Sequence, residues 1–537
     1  MEYKIIESKN YLEIQKQYNI NPLLAKVIDY NQYKDLNNFV NPRLIYHDFS
    51  LLEESDMALD RIFEAIENQE KICIYGDYDC DGILATTILV QAFLELGVQV
   101  GYHIPDRFSD GYGLNVHRVE QMAEKGYSLI ITVDNGVKAF EAIDRANELG
   151  IDVIITDHHQ YDQELPDACC ILHTKLSPDY PFKEISGGFL AYKLAVALLE
   201  RQDKYLYCLA AITTISDMMP LFDENRSLVK KALQFMQEEK YESLELLLGQ
   251  QKYSAKSIGF TIAPKINSFG RMPEIVQPNI LVKYFLKNAT KDLKLKVSSL
   301  ATTVNNKRQS ITNKQYNDIP IDENMKFLYY GNQHIHEGIV GLIAGKYTRQ
   351  YEKPSFVMKL DAESGIYKGS ARSVDGFSLH DFFNKHKDCL LTFGGHALAG
   401  GFSLHKSEYD HFYRCIENEL CDKELHSIVN VLLLDEYDLS VSYIESLSIL
   451  EPFGMSNEEP IFCLNEILID KVVLLSQGKH IKLEFMLPHG RLDAMLFNQG
   501  HLYNRIKDLK RMSLAGKISI NEFNGNKTMN MLVEHIL

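Results

Sequence analysis

Acidic residues and histidines stand directly after three short apolar runs in this chain of 537 residues. The runs cover residues 72–75, 129–133 and 153–156. The polar residues that follow them are Asp77, Asp79, Asp81, Asp134, Asp157, His158 and His159. If the runs are parallel strands of one sheet, their carboxyl ends meet at the edge where open α/β sheets form their sites. Carboxylate oxygens together with an imidazole bind divalent cations, so the pattern predicts a metal site with enough ligands for two ions.

Simpler explanations account for part of this pattern. The spacing Asp-x-Asp-x-Asp at 77–81 is also that of a calcium-binding EF-hand loop, but Ile88 stands where that loop needs a glutamate. One acid of the three can cap a following helix, whereas three acids on one short loop repel one another unless cations neutralise them. Asp134 alone is typical of a turn. Asp217 lies in an apolar stretch, where a carboxylate needs a partner that a metal would supply.

The order of predicted elements indicates an α/β protein of several domains, since the chain is too long for one core. Strand-like and helix-like segments alternate over residues 50–230, which is typical of a mostly parallel sheet. The apolar runs 513–523 and 527–537 flank Asn524-Gly525 and predict a β-hairpin. The predicted segments are an N-terminal lead-in at 1–48, a mostly parallel-sheet domain at 49–230, a long helical connector at 231–320, a second α/β domain at 321–425 and a small β-barrel or sandwich at 426–537.

Composition narrows the classes of function. A net charge of −17 argues against a general nucleic-acid coat. One segment, 287–314, nevertheless carries six lysines and Arg308 against a single acid, and its apolar spacing predicts one long helix with a basic face. That face is either simply solvated or one wall of a nucleic-acid groove. The sequence contains no P-loop motif, which argues against an ATPase of that class.

The apolar runs and the cysteines of the sequence bear on its compartment and on membrane association. No apolar run is long enough to span a bilayer, and no signal peptide begins the chain, so we expect no membrane partner. Nine cysteines without a CxxC pair argue for a reducing compartment and against structural zinc. The sequence therefore predicts a soluble cytoplasmic protein.

Four motifs resemble the signature motifs of the DHH phosphoesterase family. They are YGDYDCDG at 75–82, TVDNG at 132–136, TDHH at 156–159 and SDMMPL at 216–221. Other segments are similar to the single-stranded-DNA-specific exonucleases of that family, among them IPDRFSDGYGLN at 104–115, IAPKINSFGRM at 262–272, GSARS at 369–373 and TFGGHALAGGFSL at 392–404. The resemblance runs from about residue 40 to the end. It implies a DHH catalytic domain, a DHH-associated substrate-binding domain and a C-terminal oligonucleotide-binding fold.

The resemblance also implies a mechanism, the hydrolysis of a phosphodiester with two ions of Mn²⁺ or Mg²⁺. The metal ligands that it implies are Asp77, Asp79, Asp81, Asp134, His158 and Asp217. The catalytic residues that it implies are Asp79, Asp81, Asp134, His158, His159 and Asp217. Among these, Asp134 is the best candidate to bridge the two ions, and His159 is expected to contact the scissile phosphate or assist the leaving oxygen. Asp157 is expected to orient a histidine.

Substrate binding is implied for a second set of residues, which comprises Arg107, Arg271, Ser370, Arg372, Gly394, Gly395 and His396. Arginine forks suit two-pronged phosphate contacts, and in this family such residues also hold the terminal 5′ phosphate. Glycines let the backbone approach a nucleotide closely. The chain departs from the family pattern at Lys265, Gly400 and Ser456, where Arg, Ala and Gly are usual. These departures affect the expected grip on DNA and remove no metal ligand.

The function that the resemblance implies is a single-stranded-DNA-specific 5′→3′ exonuclease that releases 5′ mononucleotides in DNA recombination and repair. We expect a monomer whose candidate protein partners are a single-strand-binding protein and a helicase. Two alternatives stay open. One is a DHH phosphodiesterase of short oligonucleotides or cyclic dinucleotides, which usually needs only the first two domains. The other is a non-catalytic DNA-binding scaffold, which would have lost motif acids that are present here.

Overall fold

A computed structural model describes residues 2–33, 36–40, 43–161, 163–322, 325–421, 423, 425, 428–523 and 525–537. The strands are β1 (Glu2–Ile6), β2 (Ile72–Tyr75), β3 (Gly101–His103), β4 (Leu129–Val133), β5 (Asp152–Thr156), β6 (Cys170–Leu172), β7 (Leu328–Asn332), β8 (Ser355–Asp361), β9 (Ile366–Arg372), β10 (Thr392–Gly395), β11 (Ala399–His405), β12 (Ile428–Leu434), β13 (Phe462–Leu468), β14 (Lys471–Leu475), β15 (His480–Leu487), β16 (Gly490–Leu496), β17 (Arg511–Phe523) and β18 (Asn526–Ile536).

The helices alternate with strands between β2 and β5, follow one another over residues 187–317 and become sparse after residue 420. They are α1 (Tyr11–Tyr18), α2 (Pro22–Asn31), α3 (Leu36–Val40), α4 (Ser55–Glu67), α5 (Cys80–Glu95), α6 (Val116–Glu124), α7 (Phe140–Glu148), α8 (Gly187–Leu199), α9 (Lys204–Ser216), α10 (Asp223–Glu238), α11 (Glu242–Leu248), α12 (Ala255–Ser257), α13 (Ala263–Arg271), α14 (Asn279–Phe285), α15 (Lys291–Asn317), α16 (Val340–Tyr351), α17 (Leu379–Lys385), α18 (Tyr409–Leu420), α19 (Val441–Ser446) and α20 (Tyr503–Ile506). One π-helical turn, Ile258–Ile262, joins α12 to α13.

The chain forms two compact units. The larger unit comprises residues 44–425 and 454–456, and the smaller unit comprises the remaining segments, up to residue 43, 426–453 and 457–537. Among the described residues, none of the helices combines the length and the apolar character that a membrane crossing requires.

The first sheet of the larger unit is wholly parallel, in the strand order β3-β2-β4-β5-β6. Every residue of β2 and β4 is buried, because helices cover both faces of a parallel sheet. The central helix α5 is apolar on nearly all sides and is buried from Cys80 to Phe93, packed mainly against α8 and α9. The strand ends therefore meet at one edge, and the parallel sheet predicted from the sequence is confirmed.

The helical connector ends in α15, which confirms the long helix predicted from the basic segment. The helix begins at Thr290, whose hydroxyl accepts a hydrogen bond from the backbone N–H of Leu293. Its apolar side, including Val297 and Val304, is buried against neighbouring helices. Most of its lysines are exposed, whereas Arg308 is half-buried.

The second sheet of the larger unit has the order β10-β11-β9-β8-β7, with β7 parallel to β8 and the remaining pairs antiparallel. A phenylalanine-rich core that includes Phe356, Phe402 and Phe412 lies between this sheet and the helices α17 and α18. The strands β9, β10 and β11 carry the segments GSARS and TFGGHALAGGFSL. The expected second α/β domain is therefore confirmed as a fold.

The smaller unit contains one eight-stranded sheet in the order β1-β12-β13-β17-β18-β16-β15-β14. The long hairpin of β17 and β18 confirms the predicted pairing, although Asn524 of its turn lies outside the described residues. Strand β1 pairs in parallel with β12, so the segment predicted as a lead-in supplies an edge strand to this sheet. Helix α2 adds Leu23, Leu24 and Val27 to the same core.

Candidate metal centre and phosphate-binding site

The loop after β2 presents three acids in three different settings. Asp79 caps α5, because its carboxylate accepts a hydrogen bond from the Gly82 N–H at 3.1 Å. Asp81 lies in the first turn of α5 and is buried. Its two oxygens accept the backbone N–H groups of Gly187 at 2.8 Å and Gly188 at 2.6 Å, at the N-terminus of α8. Two helix N-termini therefore hold this pair of carboxylates in place.

Asp77 is buried and leaves one carboxylate oxygen, Oδ1, without a hydrogen-bond partner among the described residues. Burial raises the pKa of Asp77 well above its usual value, and the neighbouring Asp79 raises it further. Side-chain oxygens of Asp77, Asp79 and Asp134 lie within 4.8 Å of one another. An unpartnered buried oxygen beside two other carboxylates requires a cation or a proton.

Asp134 follows β4 with a backbone φ of 63°, a left-handed conformation that directs its side chain toward the same site. Its N–H donates to the Thr156 carbonyl at 2.9 Å, which joins the ends of β4 and β5. Its Oδ1 lies 3.0 Å from Nε2 of His158. Gly187 packs so closely on Asp134 that a Cβ there would lie 2.6 Å from the Asp134 Cβ.

His158 is buried, and its Nε2 faces three carboxylates. The distances are 3.0 Å to Asp134, 3.5 Å to Asp217 and 3.7 Å to Asp81. Asp217 lies directly after the C-terminal end of α9. The ligand atoms of Asp81, His158 and Asp217 form a second compact group beside that of Asp77, Asp79 and Asp134. Because Asp134 belongs to the first group and touches His158 of the second, the arrangement has two adjoining cation positions.

The donor chemistry of the two groups fits hard divalent cations. Burial raises the pKa of Asp81 to about 7, with repulsion from Asp79 as the next cause. Burial and repulsion from Asp81 likewise raise the pKa values of Asp134 and Asp217. Carboxylate oxygens with a single imidazole suit Mn²⁺ or Mg²⁺ rather than a metal that prefers thiolates. Two such ions would neutralise acids that otherwise resist ionisation.

The predicted partner of Asp157 is a histidine, and the structure places it against His159. Asp157 Oδ1 lies 2.7 Å from His159 Nδ1 and also accepts the N–H groups of His158 and His159. Burial acts to raise the pKa of Asp157, but His159 outweighs it and the pKa falls well below the usual range. Burial lowers the pKa of His159, yet Asp157 outweighs it and raises the value to about 9. In the metal-free protein, Asp157 therefore favours the protonated form of His159 beside the acidic cluster.

Three predicted arginines lie close together next to the acids. The Arg107 guanidinium stacks on the ring of Tyr78, 5.0 Å from its centroid. Arg271, at the end of α13, donates to the Gly338 carbonyl at 3.2 Å and so reaches the segment before α16. Arg372 donates to the Ser370 hydroxyl at 2.9 Å. Burial lowers the pKa of Arg271 to about 9, and Arg107, Arg308 and Arg372 lower it further by repulsion.

This cluster of four cations is the second half of the site. Arg308 belongs to it through the basic helix α15, where Asn305 accepts two hydrogen bonds from its guanidinium. Uncompensated positive charge that lowers an arginine pKa indicates a place where an anion binds. The contacts given above join these arginines to neutral groups, so their charge is available to a phosphate.

The remaining predicted substrate residues lie on the hairpin of β10 and β11. Gly394 and Gly395 belong to β10, and Gly395 has a φ of 133°, which favours glycine. The His396 N–H donates to the Ala399 carbonyl at 2.8 Å and closes the turn. Desolvation lowers the pKa of His396, and the positive charges of Lys175 and His159 lower it further, so this turn lies toward the histidine motif.

The three departures from the family pattern lie in different local settings. Lys265 donates to the Leu247 carbonyl at 2.6 Å, so it ties two helices together. A Cβ at Gly400 would lie 2.7 Å from Phe383 Cε2, which leaves no room for alanine without a shift of that ring. Ser456 has a φ of 58°, the left-handed region in which glycine is favoured.

Several residues of the site were not predicted as such. Sequence periodicity places Arg308 only on the basic face of a long helix, because it does not show which neighbouring segment that residue contacts. Asn267 accepts the Cys80 N–H at 2.7 Å and holds the start of α5. The N–H groups of Gly187 and Gly188 hold Asp81, and the available signal was the helix cap Ser186 before two glycines.

Comparison with known proteins agrees with this geometry. Three family models match the chain: the DHH family, N-terminal domain over 71–215, the DHHA1 domain over 324–420, and the RecJ OB domain over 432–535. The chain is 34% identical to the single-stranded-DNA-specific exonuclease RecJ of Bacillus subtilis (strain 168), over 97% of this chain and 68% of that protein. It is 30% identical to the protein of the same name from Haemophilus influenzae, over 94% of this chain and 92% of that protein.

Solved structures match over the whole chain. The crystal structure of RecJ in complex with Mn²⁺ from Thermus thermophilus superposes with a TM-score of 0.86 at 25% identity, covering 100% of this chain and 79% of that chain. The corresponding structure with Mg²⁺ has a TM-score of 0.79 at 23% identity, with 100% and 78% coverage.

Proposed function

Because the chain belongs to the RecJ family of DHH proteins, we propose that it is a single-stranded-DNA-specific exonuclease that hydrolyses phosphodiesters from the 5′ end and releases 5′ mononucleotides. Its cofactor is Mn²⁺ or Mg²⁺, bound as two ions. The reaction would serve DNA recombination and repair, as expected of an exonuclease of this kind. A single-strand-binding protein and a helicase remain proposed partners, and a monomer remains the proposed state.

The observation that carries this proposal is the pair of adjoining acidic groups beside a cluster of arginines. Asp77, Asp79 and Asp134 would hold one ion, and Asp81, His158 and Asp217 the other, with Asp134 between them. When bound, such ions supply a nucleophile at neutral pH and neutralise charge on the attacked phosphate. The N–H groups of α8 keep the Asp81 carboxylate oriented before any substrate arrives.

The chain's own cations act on the phosphates. Burial acts to lower the pKa of His159, but Asp157 raises it to about 9, which favours the imidazolium when no metal ion is bound. Its imidazolium N–H can donate to a non-bridging oxygen of the scissile phosphate or protonate the leaving oxygen. Arg107, Arg271 and Arg372 are our candidates for the grip on the terminal phosphate, and Arg308 adds a fourth charge.

The β domain and the basic helix support a long single strand as the substrate. Residues 432–535 match the RecJ OB domain, and oligonucleotide-binding folds guide single strands along a groove. The two alternatives are not favoured: the small-substrate phosphodiesterase would not need this region, and a non-catalytic scaffold would not need an intact acidic site.

The test uses the purified full chain with Mn²⁺ or Mg²⁺ and oligonucleotides labelled at either end. Single strands, the matching duplex and a dinucleotide are compared for wild type and for Asp134→Ala. Asp144→Asn is the matched control, because Asp144 is an exposed aspartate on α7. We expect immediate release of 5′-labelled mononucleotides from single strands, full activity in Asp144→Asn and none in Asp134→Ala.

Other outcomes have definite meanings. Release from the 3′ end first would refute the proposed polarity. Cleavage of the dinucleotide but not of long strands would move the assignment to a small-substrate phosphodiesterase. Binding of single strands without cleavage in either metal would make the chain a scaffold.

A further inference from the structure

Two cysteines and a histidine converge in the second α/β region of the larger unit. Cys389 lies in the short turn between α17 and β10. His411 and Cys415 lie on α18, four residues apart and therefore on one face of the helix. The ligand atoms of Cys389, His411 and Cys415 all lie within 4.8 Å of one another. We propose that these three side chains form a binding site for one thiolate-preferring cation, of which Zn²⁺ is the best fit.

The distances match tetrahedral coordination by zinc. Zinc binds sulfur at about 2.3 Å and imidazole nitrogen at about 2.0–2.1 Å, so a tetrahedral ion separates the two ligand atoms by about 3.6 Å. Cys389 Sγ lies 3.6 Å from Nδ1 of His411. The same separation also fits a weak S–H···N hydrogen bond between the thiol and the imidazole, and the metal titration described below distinguishes the two.

A fourth ligand is available beside the same helix. Glu408 precedes α18, and its Oε2 lies 3.2 Å from the same Nδ1 of His411. For zinc with an imidazole and a carboxylate, the nitrogen and oxygen are about 3.4 Å apart. The set would then comprise two sulfurs, one nitrogen and one oxygen, with Glu408 or a solvent molecule completing the tetrahedron. His411 is exposed while Cys389 is buried, so an ion could enter from the surface.

Such an ion would link two parts of the fold that are separate in the chain. Cys389 stands three residues before β10, the strand with Gly394 and Gly395. Helix α18 packs against the phenylalanine-rich core through Phe412 and Ile416. Bound zinc would link α18 to the turn that precedes the hairpin of β10 and β11, so its expected role is structural. This role is independent of the hydrolysis proposed above, which uses other residues and harder cations.

Sequence patterns did not predict this candidate zinc site. The prediction against structural zinc rested on the absence of a CxxC pair. The fold instead pairs Cys389 with a His-x-x-x-Cys pattern on a helix that begins twenty residues later in the chain. Only the packing of α18 over the turn brings the two together.

The test is a titration of the reduced full chain with Co²⁺, which replaces zinc and reports its ligands by absorption. Co²⁺ in the acidic site has oxygen and imidazole ligands and gives no sulfur-to-cobalt charge-transfer band. We expect that band to saturate at one sulfur-bound Co²⁺ per chain, to weaken in Cys415→Ser, to vanish in the double variant Cys389→Ser/Cys415→Ser and to disappear on addition of Zn²⁺. His411→Ala, at an exposed position that folding tolerates, should weaken Zn²⁺ binding at least tenfold.

The matched control is Cys421→Ser, which removes an exposed cysteine of the same region, whose Sγ contacts the Asn418 carbonyl. It should leave the band unchanged. Wild-type protein without a charge-transfer band would overturn the proposal. So would a band that survives in the double variant Cys389→Ser/Cys415→Ser, since the thiolate would then lie elsewhere, for example at the vicinal pair Cys169 and Cys170. A melting temperature raised by Zn²⁺ in wild type but not in His411→Ala would support it independently.

Discussion

Substitution of Gly187 by alanine tests whether close packing at the N-terminus of α8 holds the proposed metal ligands in place. Gly187 touches two of them at once. Its N–H donates to Asp81, and its Cα packs on Asp134. A Cβ at this position would lie 2.6 Å from the Asp134 Cβ and 2.9 Å from its Cα, distances that real side chains do not adopt.

The size of the effect follows from that distance. Ordinary Cβ contacts begin at 3.4 Å, so Asp134 or the start of α8 must move by about 0.8 Å, the difference from 2.6 Å. A displacement near 1 Å in a reacting geometry costs about a hundredfold in rate. Overpacking also costs about 1–3 kcal/mol of stability, which is smaller than the total for a chain of this size. We expect Gly187→Ala to stay folded and to lose about two orders of magnitude in cleavage.

The assay is single-turnover cleavage of a 5′-labelled single strand as a function of Mn²⁺ concentration. We expect the midpoint of the Mn²⁺ dependence to rise at least tenfold, because the moved groups are ligands, while strand binding in chelator stays unchanged. Gly259→Ala is the matched control, since a Cβ there would meet only Ile215 Cγ2 at 3.4 Å. It should cleave like wild type.

A cleavage rate of Gly187→Ala within threefold of wild type at every Mn²⁺ concentration would contradict the predicted displacement of the ligands. Such a result would mean that α8 gives way without moving Asp134 or Asp81. A loss of strand binding in chelator, with normal Mn²⁺ dependence, would contradict it as well, because the damage would then lie in the phosphate grip.

Four other changes have defined outcomes. In chelator, Asp134→Asn should raise the free energy of unfolding by about 1–3 kcal/mol at pH 8, because it removes a buried acid. The pKa of Asp134 is raised in the folded state, so wild type loses stability as the pH rises above 3.8. Urea unfolding should therefore show a stability difference between the variant and wild type that widens with pH. Lys193→Met should lower the free energy of unfolding in urea by about 3–5 kcal/mol, because it leaves fully buried Glu224 without its ion-pair partner at 2.8 Å. The double variant Lys193→Met/Glu224→Gln should recover most of that loss, and recovery of only a small part of it would contradict the pairing. Arg308→Gln should weaken binding of a 5′-phosphorylated strand about tenfold and lower the slope of log affinity against log salt by about 1, with no such change for a 5′-hydroxyl strand. Ser456→Gly should raise stability by about 1 kcal/mol by thermal unfolding, since φ is 58° there, and a loss of stability would refute the strain.

Sequence patterns predicted the parts of this molecule that depend on neighbours along the chain. The mostly apolar runs before Asp77, Asp134 and His158 form strands, as their short length predicts, and parallel strands bring their ends together without further information. The long helix α15 likewise follows from its own periodicity.

Other features depend on packing between distant segments and left no local signal. The Asp157 carboxylate contacts the ring of His159 and not the ring of His158 because of where each ring turns after β5, which no spacing encodes. Arg308 joins the phosphate site through the placement of α15. Cys389 meets α18 across a hydrophobic core, so its partners are invisible in the sequence.

The parallel pairing of β1 with β12 has a consequence for how the protein is made. Glu2 pairs with Ile428, so the first strand must wait for a partner 426 residues later (428 − 2). At about 5–20 residues per second, a ribosome needs about 20–85 s to supply that partner. Residues 44–425, which are all of the larger unit except 454–456, are synthesised in that interval. The edge strand β1 is five residues long and mostly exposed, which makes it a poor template for aggregation while it waits. Most of the larger unit is therefore made before β1 meets its partner, and the sheet of the smaller unit is complete only when its last strands have been made.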